Sequence, residues 1–303
     1  MSRHCISVDG EQLVFDRTPF LAIGLRCSNA LVSDRAVDQL IRNLPVFAGY
    51  GVNTITVYLM GSRYGDVMGY HRDGTLNPVY TERLARLLDA ADRHAMAVLV
   101  GCLYWGGSRA KHAGWTQTDA EAAVKNTMRW LMAQDARHVF VDVDNEGMAQ
   151  RDQGFDDRAL VIAAKSVAPA FVVGTNFRGP PPAEADAALH FAHNVEGKPY
   201  IETEGTPDNV PGGYWGAYSK TPGLYGYRNV GVYTPAMKRN QIDLTVEHLT
   251  SGRGYVMAST WLQAPPPQGP NHEPGGYGGA GDPGIRWWLE FIREAYGSRE
   301  RDV

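Results

Sequence analysis

Short apolar runs rich in β-branched residues alternate along the chain with stretches whose apolar positions recur every three or four residues. That alternation predicts strands interleaved with helices. A hairpin-like opening with Asp9-Gly10 as its turn precedes the first run, PFLAIGLRC (19–27). A helix follows over 34–50, with Ser33 as its N-cap. Next come VNTITVYLM (52–60), a helix over 80–94 with Leu84, Leu87 and Leu88 on one face, AMAVLVGCLYW (95–105), a helix over 119–134, and VFVDVDNEG (139–147). The second half keeps the rhythm through a helix at 159–167, PAFVVGTNF (169–177), ALHFAHN (188–194), PYIETEG (199–205), a helix at 235–251, GYVMASTWLQ (254–263) and a last helix at 285–297. Eight strand candidates separated by helical patterns, in a chain of 303 residues, predict a (β/α)8 TIM barrel forming a single domain. Its usual length is about 250 residues. A doubly wound open sheet is the alternative arrangement of the same units.

Composition narrows the partners. Hydrophobic residues make up 44% and charged residues 20%, which fits a globular core and excludes disordered and fibrous classes. Lys+Arg 29 against Asp+Glu 33 gives a net charge of -4 with no long run of either sign, so nucleic acid and anionic membrane are not expected partners. No window reaches roughly 18 uninterrupted apolar residues and the amino terminus lacks a signal-like stretch, so a cytoplasmic protein is expected. Cys5, Cys27 and Cys102 are scattered and read as ordinary thiols. No glycine-rich phosphate fingerprint follows an early strand, so no nucleotide cofactor is expected. The aromatic-rich stretch 212–233 and the Pro/Gly-rich stretch 264–284 read as βα loops at the active face.

The chemistry is carried by two acids. Glu146 closes the run 139–147 and Glu204 the run 199–205. A carboxyl group at the end of a buried strand is costly unless it is paired or used. The carboxyl ends of barrel strands are where such folds keep their reactive groups. Two carboxylates facing one cleft could cleave a glycosidic bond.

Asn145-Glu146 on the fourth strand, Thr203-Glu204-Gly205 on the seventh and Ser259-Thr260-Trp261 on the eighth, together with the entry hairpin, resemble the clan A glycoside hydrolases, in particular family 5-like enzymes. The resemblance implies a retaining double displacement in which Glu204 is the nucleophile and Glu146 the general acid/base, with no metal or organic cofactor and a carbohydrate as substrate. It further implies that Arg26 lies beside the nucleophile, that Asn145 binds a sugar 2-hydroxyl, that His193 is the sixth-strand histidine and that Trp261 is a sugar-stacking floor. The tyrosine that such enzymes carry two residues after that histidine is replaced here by Val195; Tyr214 and Tyr233 are candidates to substitute for it. Tyr58, Tyr104, Trp105 and Asn176, at the ends of strands two, three and five, are candidates to line subsites. Asp142 and Asp144 read as satisfied structural carboxylates. Glu202, two residues before Glu204 and of the same strand parity, is either the nucleophile itself or a deeper acid paired with a base such as Arg26.

Two other classes compete. A metal-dependent barrel hydrolase would want His-x-His on the first strand, where this chain has Arg26 and Cys27, and His190 and His193 are spaced to opposite faces of a strand. A non-catalytic carbohydrate-binding barrel would share the aromatic loops but would not need both glutamates. Sugar identity, exo or endo action and oligomeric state are not encoded in any local pattern.

Overall fold

The computed structural model describes residues 2–62, 67–105, 112–204, 231–263 and 271–297. Eight parallel strands close into a barrel in the order β10-β11-β4-β5-β6-β7-β8-β9. These are β4 (Ile23–Arg26), β5 (Thr54–Tyr58), β6 (Ala97–Leu103), β7 (Val139–Asp144), β8 (Val172–Thr175), β9 (Ala187–Leu189), β10 (Tyr200–Glu202) and β11 (Gly254–Met257). Every residue of these strands is buried, because one face fills the barrel and the other packs under the helices. That is why the sequence shows continuous apolar runs rather than alternation.

Before the barrel, β1 (Ile6–Asp9), β2 (Gln12–Phe15) and β3 (Thr18–Phe20) form an antiparallel sheet, turning at Gly10 with φ +58. The run expected over 19–27 is therefore two strands, β3 and β4, in different sheets. The helices fall where periodicity places them. Ser33 caps α1 (Asp34–Gly49), its hydroxyl accepting from the Ala36 N–H at 3.2 Å. Asn77 caps α2 (Pro78–Arg93), and Thr116 makes a capping box with Asp119 at the head of α3 (Gln117–Ala133). A short α4 (Met148–Gln153) precedes α5 (Asp157–Val167), then come α6 (Pro235–Thr250), α7 (Thr260–Gln263) and α8 (Arg286–Tyr296). The eighth strand ends at Met257, six residues before its expected end, and the chain turns into α7. Within the stretch 264–284, expected to be loop throughout, β12 (Gly275–Gly279) and β13 (Asp282–Gly284) pair as a small hairpin. Residues 205–230 and 264–270 of the two expected active-face loops lie outside the described residues. No helix is long and apolar enough to cross a membrane among the described residues.

One close approach fixes the barrel interior. Tyr58 pairs with Gly101 across β5 and β6, and a Cβ at residue 101 would stand 1.8 Å from the Tyr58 ring. The ring occupies the space a Cβ would take, so any side chain there must push the tyrosine out. Gly101→Ala is therefore expected to destabilise the fold by about 1–3 kcal/mol or more, the range of overpacked cores. Denaturant unfolding with an unchanged m-value checks this.

Candidate functional site

The strand ends converge. Arg26 ends β4, Tyr58 ends β5, Tyr104 follows β6, Asn145 and Glu146 follow β7, Asn176 follows β8, His190 follows β9, and Thr203 and Glu204 follow β10. All lie at the carboxyl-terminal face of the barrel, where the strands present side chains to the loops.

Arg26 is the hub. Its guanidinium is fully buried, pairs with a Glu204 carboxylate oxygen at 2.5 Å, and donates to the Thr203 carbonyl at 3.0 Å and to Asn145 Oδ1 at 2.8 Å. Its carbon lies 5.2 Å from the Tyr58 ring centre and 5.9 Å from that of Tyr104, whose rings meet edge to face. A buried cation needs such neighbours, because its hydration is lost and only a paired charge with aligned hydrogen bonds replaces it.

Asn145 is held by saturation of one end. Its Oδ1 accepts from Arg26, from the Tyr58 hydroxyl at 2.9 Å and from Asn176 Nδ2 at 3.3 Å. The amide nitrogen is thereby turned toward Glu146, 3.4 Å from its Oε1. The single Tyr58 hydroxyl proton is shared between Asn145 and Asp142 Oδ2 at 2.8 Å, Asn176 Nδ2 also donates to Asp142 at 3.1 Å, and Asn176 Oδ1 accepts from the Phe191 N–H. Asp142 is thus the satisfied structural carboxylate expected. Asp144 accepts from the Ala149 N–H at 2.7 Å; burial raises its pKa and that of Asp157, the latter to about 7.

Glu146 occupies the turn Asn145–Gly147 with φ +54, left-handed for a non-glycine residue. Gly147 follows at φ +57, where a Cβ would approach the Phe177 Cβ to 2.7 Å. This double reversal aims the acid, at a strain on the order of 1–3 kcal/mol. Glu146 is half-buried, and the Glu204 charge acts on its carboxyl. Burial pushes its pKa up to about 8, with the Glu204 charge reinforcing the shift and His190 and Arg26 opposing it. Glu204 itself is enclosed, with only 3% of its side chain exposed.

The histidine in this cluster is His190. Its Nδ1 lies 2.6 Å from Glu202 Oε1 and its Nε2 3.9 Å from Glu204 Oε2. His193, the histidine chosen from sequence, is exposed, and its backbone bonds to the Gly179 carbonyl. The strand, expected to run to 194, stops at Leu189, so the side chain that joins the cluster is the first polar residue after the apolar run. That signal was present in the sequence. Glu202 pairs with His190 rather than with Arg26, because Arg26 faces Glu204. Both Glu202 and His190 are fully buried.

Several candidates lie elsewhere. Trp105 is buried among Trp115, Phe155 and His112, ring to ring at 5.8, 5.5 and 6.4 Å, which is packing. Trp261 is 7% exposed, donates its indole N–H to the Glu273 carbonyl at 2.7 Å and is covered by Gly231 and Gly275, where added Cβ atoms would come within 2.5 and 2.3 Å of its ring. The expected open stacking face is therefore taken up by the loop backbone, which is why only glycines fit there. Tyr58 and Asn176 brace Asn145 from below and do not line a subsite. Tyr104 does face the acids: burial raises its pKa, followed by the charges of Glu146 and Glu204. Tyr233 is engaged with the Ser259 hydroxyl, and Tyr214 lies outside the described residues. No group of three or more His, Cys, Asp or Glu able to hold a metal ion occurs among the described residues.

No protein-family model matches the sequence, and no curated protein matches it either. Solved structures do share the fold. An endocellulase from Pyrococcus horikoshii, solved with cellotetraose, superposes with a TM-score of 0.57 at 13% identity over 96% of this chain and 98% of that one. A glycoside hydrolase family 5 protein from Bacteroides vulgatus gives 0.62 at 12% identity, over 96% and 69%. An exo-β-1,4-mannosidase from an Opitutaceae bacterium gives 0.62 at 14%, over 95% and 62%. At these identities the likeness is one of fold.

The raised pKa of Glu146 carries a stability consequence. Its folded value, about 8, lies above the unfolded value of about 4.3, so the stability it contributes is complete below the lower figure and is lost as pH rises through the higher. Glu146→Gln, which stays neutral, is expected to melt about 2 °C or more higher than the wild type at alkaline pH and to converge with it in acid. Calorimetric melting across pH checks the difference.

Proposed function

We propose that this protein is a glycoside hydrolase acting with retention, Glu204 as nucleophile and Glu146 as acid/base. The observation that carries the reading is the convergence of Glu146 and Glu204 at the carboxyl-terminal face of the barrel, the Glu204 charge acting on Glu146 and Arg26 pairing with Glu204. The retaining mechanism needs the carboxyls about 5–5.5 Å apart and the inverting one about 6.5–9.5 Å apart to admit a water; the influence of the Glu204 charge on Glu146 suits the closer spacing.

The two acids are chemically divided by their surroundings. Glu146 is held protonated near neutral pH by burial and by the Glu204 charge, as a general acid requires. Glu204 attacks the anomeric carbon as the glycosidic bond breaks, and the leaving oxygen takes the Glu146 proton. Esterification removes the Glu204 charge, which removes one cause of the raised Glu146 pKa. The Glu146 carboxylate then takes a proton from water, whose hydroxyl adds to the anomeric carbon and frees Glu204. Asn145, with its amide nitrogen turned toward Glu146, is placed to donate to the sugar hydroxyl neighbouring the reacting carbon. Because Glu146 is half-buried and Glu204 enclosed, the sugar approaches Glu204 past Glu146.

The endocellulase and mannosidase names of the structural neighbours make β-linked glucosides and mannosides the first substrates to try. The enclosure of Glu204 favours a second reading, a carbohydrate-binding barrel without turnover. Chromogenic glycosides decide between them. Wild type is expected to release aglycone with the retained anomer formed first by NMR. Glu204→Ala is expected to abolish release, and Glu146→Gln to lower it by about 10²–10⁴-fold for poor leaving groups. The rate is expected to decline above about pH 8 as Glu146 loses its proton. Sugar binding with no release, unchanged by Glu204→Ala, would establish the second reading, and an inverted first product would remove the double displacement.

A further inference from the structure

Glu202 takes no part in the displacement above, yet it is fully buried and bonded on every side. Its Oε1 accepts from the Glu204 backbone N–H at 2.8 Å as well as facing His190 Nδ1 at 2.6 Å. The Tyr200 hydroxyl lies 3.4 Å from its Oε2 and donates to the His190 carbonyl at 2.6 Å. One acid thus fixes both the backbone that carries Glu204 and the ring that faces its carboxylate.

We propose that Glu202 is a positioning residue that keeps His190 as an imidazolium, so that Glu204 is held between two cations, Arg26 on one oxygen and His190 on the other. The consequence for turnover rests on the glycosidase reading; the charge state of His190 does not. A neutral imidazole donating from Nδ1 to Glu202 would turn the Nε2 lone pair toward the Glu204 oxygens, an opposition of acceptors that a second ring proton removes. The short contact to Glu202 is that of a charge-assisted hydrogen bond. Such a carboxylate partner also fixes which way a histidine ring faces.

The surroundings agree. Burial disfavours the cation, but Glu202, Glu204 and Glu146 outweigh it and carry the His190 pKa up to about 9. Reciprocally, burial would raise the Glu202 pKa, yet His190 leads the groups that hold it below its ordinary value. From α6, His248 stacks on Tyr200 at 6.0 Å, but burial presses its pKa down to about 4, so it brings no competing charge near neutrality. Phe191, 4.2 Å from the His190 ring, brings none either. Arg26 acts on the cluster through Glu204. His190 itself has φ +39, a strained backbone for a non-glycine residue, which these contacts over-determine. When Glu204 becomes an ester and loses its charge, a cation at His190 persists to favour the ionised Glu146 that must activate water.

The test is the ring nitrogens of His190 in the ¹⁵N-labelled full chain, followed across the neutral and alkaline range. Both nitrogens are expected to be protonated at neutral pH, with deprotonation near pH 9, and Glu202→Gln is expected to bring that transition down to neutrality or below. In the same variant, hydrolysis of an activated aryl glycoside should lose about tenfold or more in kcat with a smaller change in KM, because release of the ester suffers most. A wild-type His190 neutral at pH 7, or a midpoint unmoved by Glu202→Gln, overturns the proposal. Should Glu202→Gln not fold, the wild-type titration alone decides. A wild type with an imidazolium at His190 but no glycosidase activity would leave this inference standing and remove the reaction; activity with a neutral His190 would do the reverse.

Discussion

A fully buried guanidinium at the end of the first barrel strand is the constraint around which this molecule is arranged. Arg26 has no water, so its charge must be met by protein, and four different strand ends supply the answer: Glu204 and the Thr203 carbonyl from β10, Asn145 from β7, and the ring faces of Tyr58 and Tyr104 from β5 and β6. Removing any one partner would leave a buried charge or acceptor unmatched, which costs more than the contact itself contributes. The arginine therefore ties the reactive face of the barrel to its interior.

Around it the charges are ordered in sequence through space. Glu202 faces His190, His190 and Arg26 face the two oxygens of Glu204, and the Glu204 charge acts on Glu146. Alternation of sign keeps each ionised group next to an opposite one, and Glu146, the last carboxyl and the most accessible, is the one driven toward its neutral form. An acid and a carboxylate of different character are thereby made from the same residue type. The strain follows the same line: Glu146 and His190 both have left-handed backbones.

The scaffold explains why this face is precise. Asn145 is braced by Tyr58 and Asn176, which are themselves fixed by Asp142, and Tyr58 has room for its ring only because residue 101 has no side chain. A polar network in a closed barrel is rigid when every acceptor is met, and here the amide oxygen of Asn145 receives three donors.

Much of this was legible in the chain. The apolar runs gave each of the eight strands its place, Ser33 announced α1, Glu146 and Glu204 stood out because carboxyls at the ends of buried runs need a partner or a use, and the family resemblance pointed to Arg26 and Asn145. What sequence could not supply was where each strand stops and which faces meet. Reading the sixth strand five residues too long selected His193 over His190, and parity alone could not tell that Glu202 would meet a histidine while Arg26 met Glu204. The resemblance implied a sugar-stacking floor at Trp261, and its place at a strand end made Trp105 a subsite candidate, but packing encloses both. The sequence by itself determined the repeating units and the residues too costly to bury idly, because periodicity and desolvation act locally. Only closure of the barrel decided who pairs with whom, because strands far apart in the chain become neighbours only when the last meets the first.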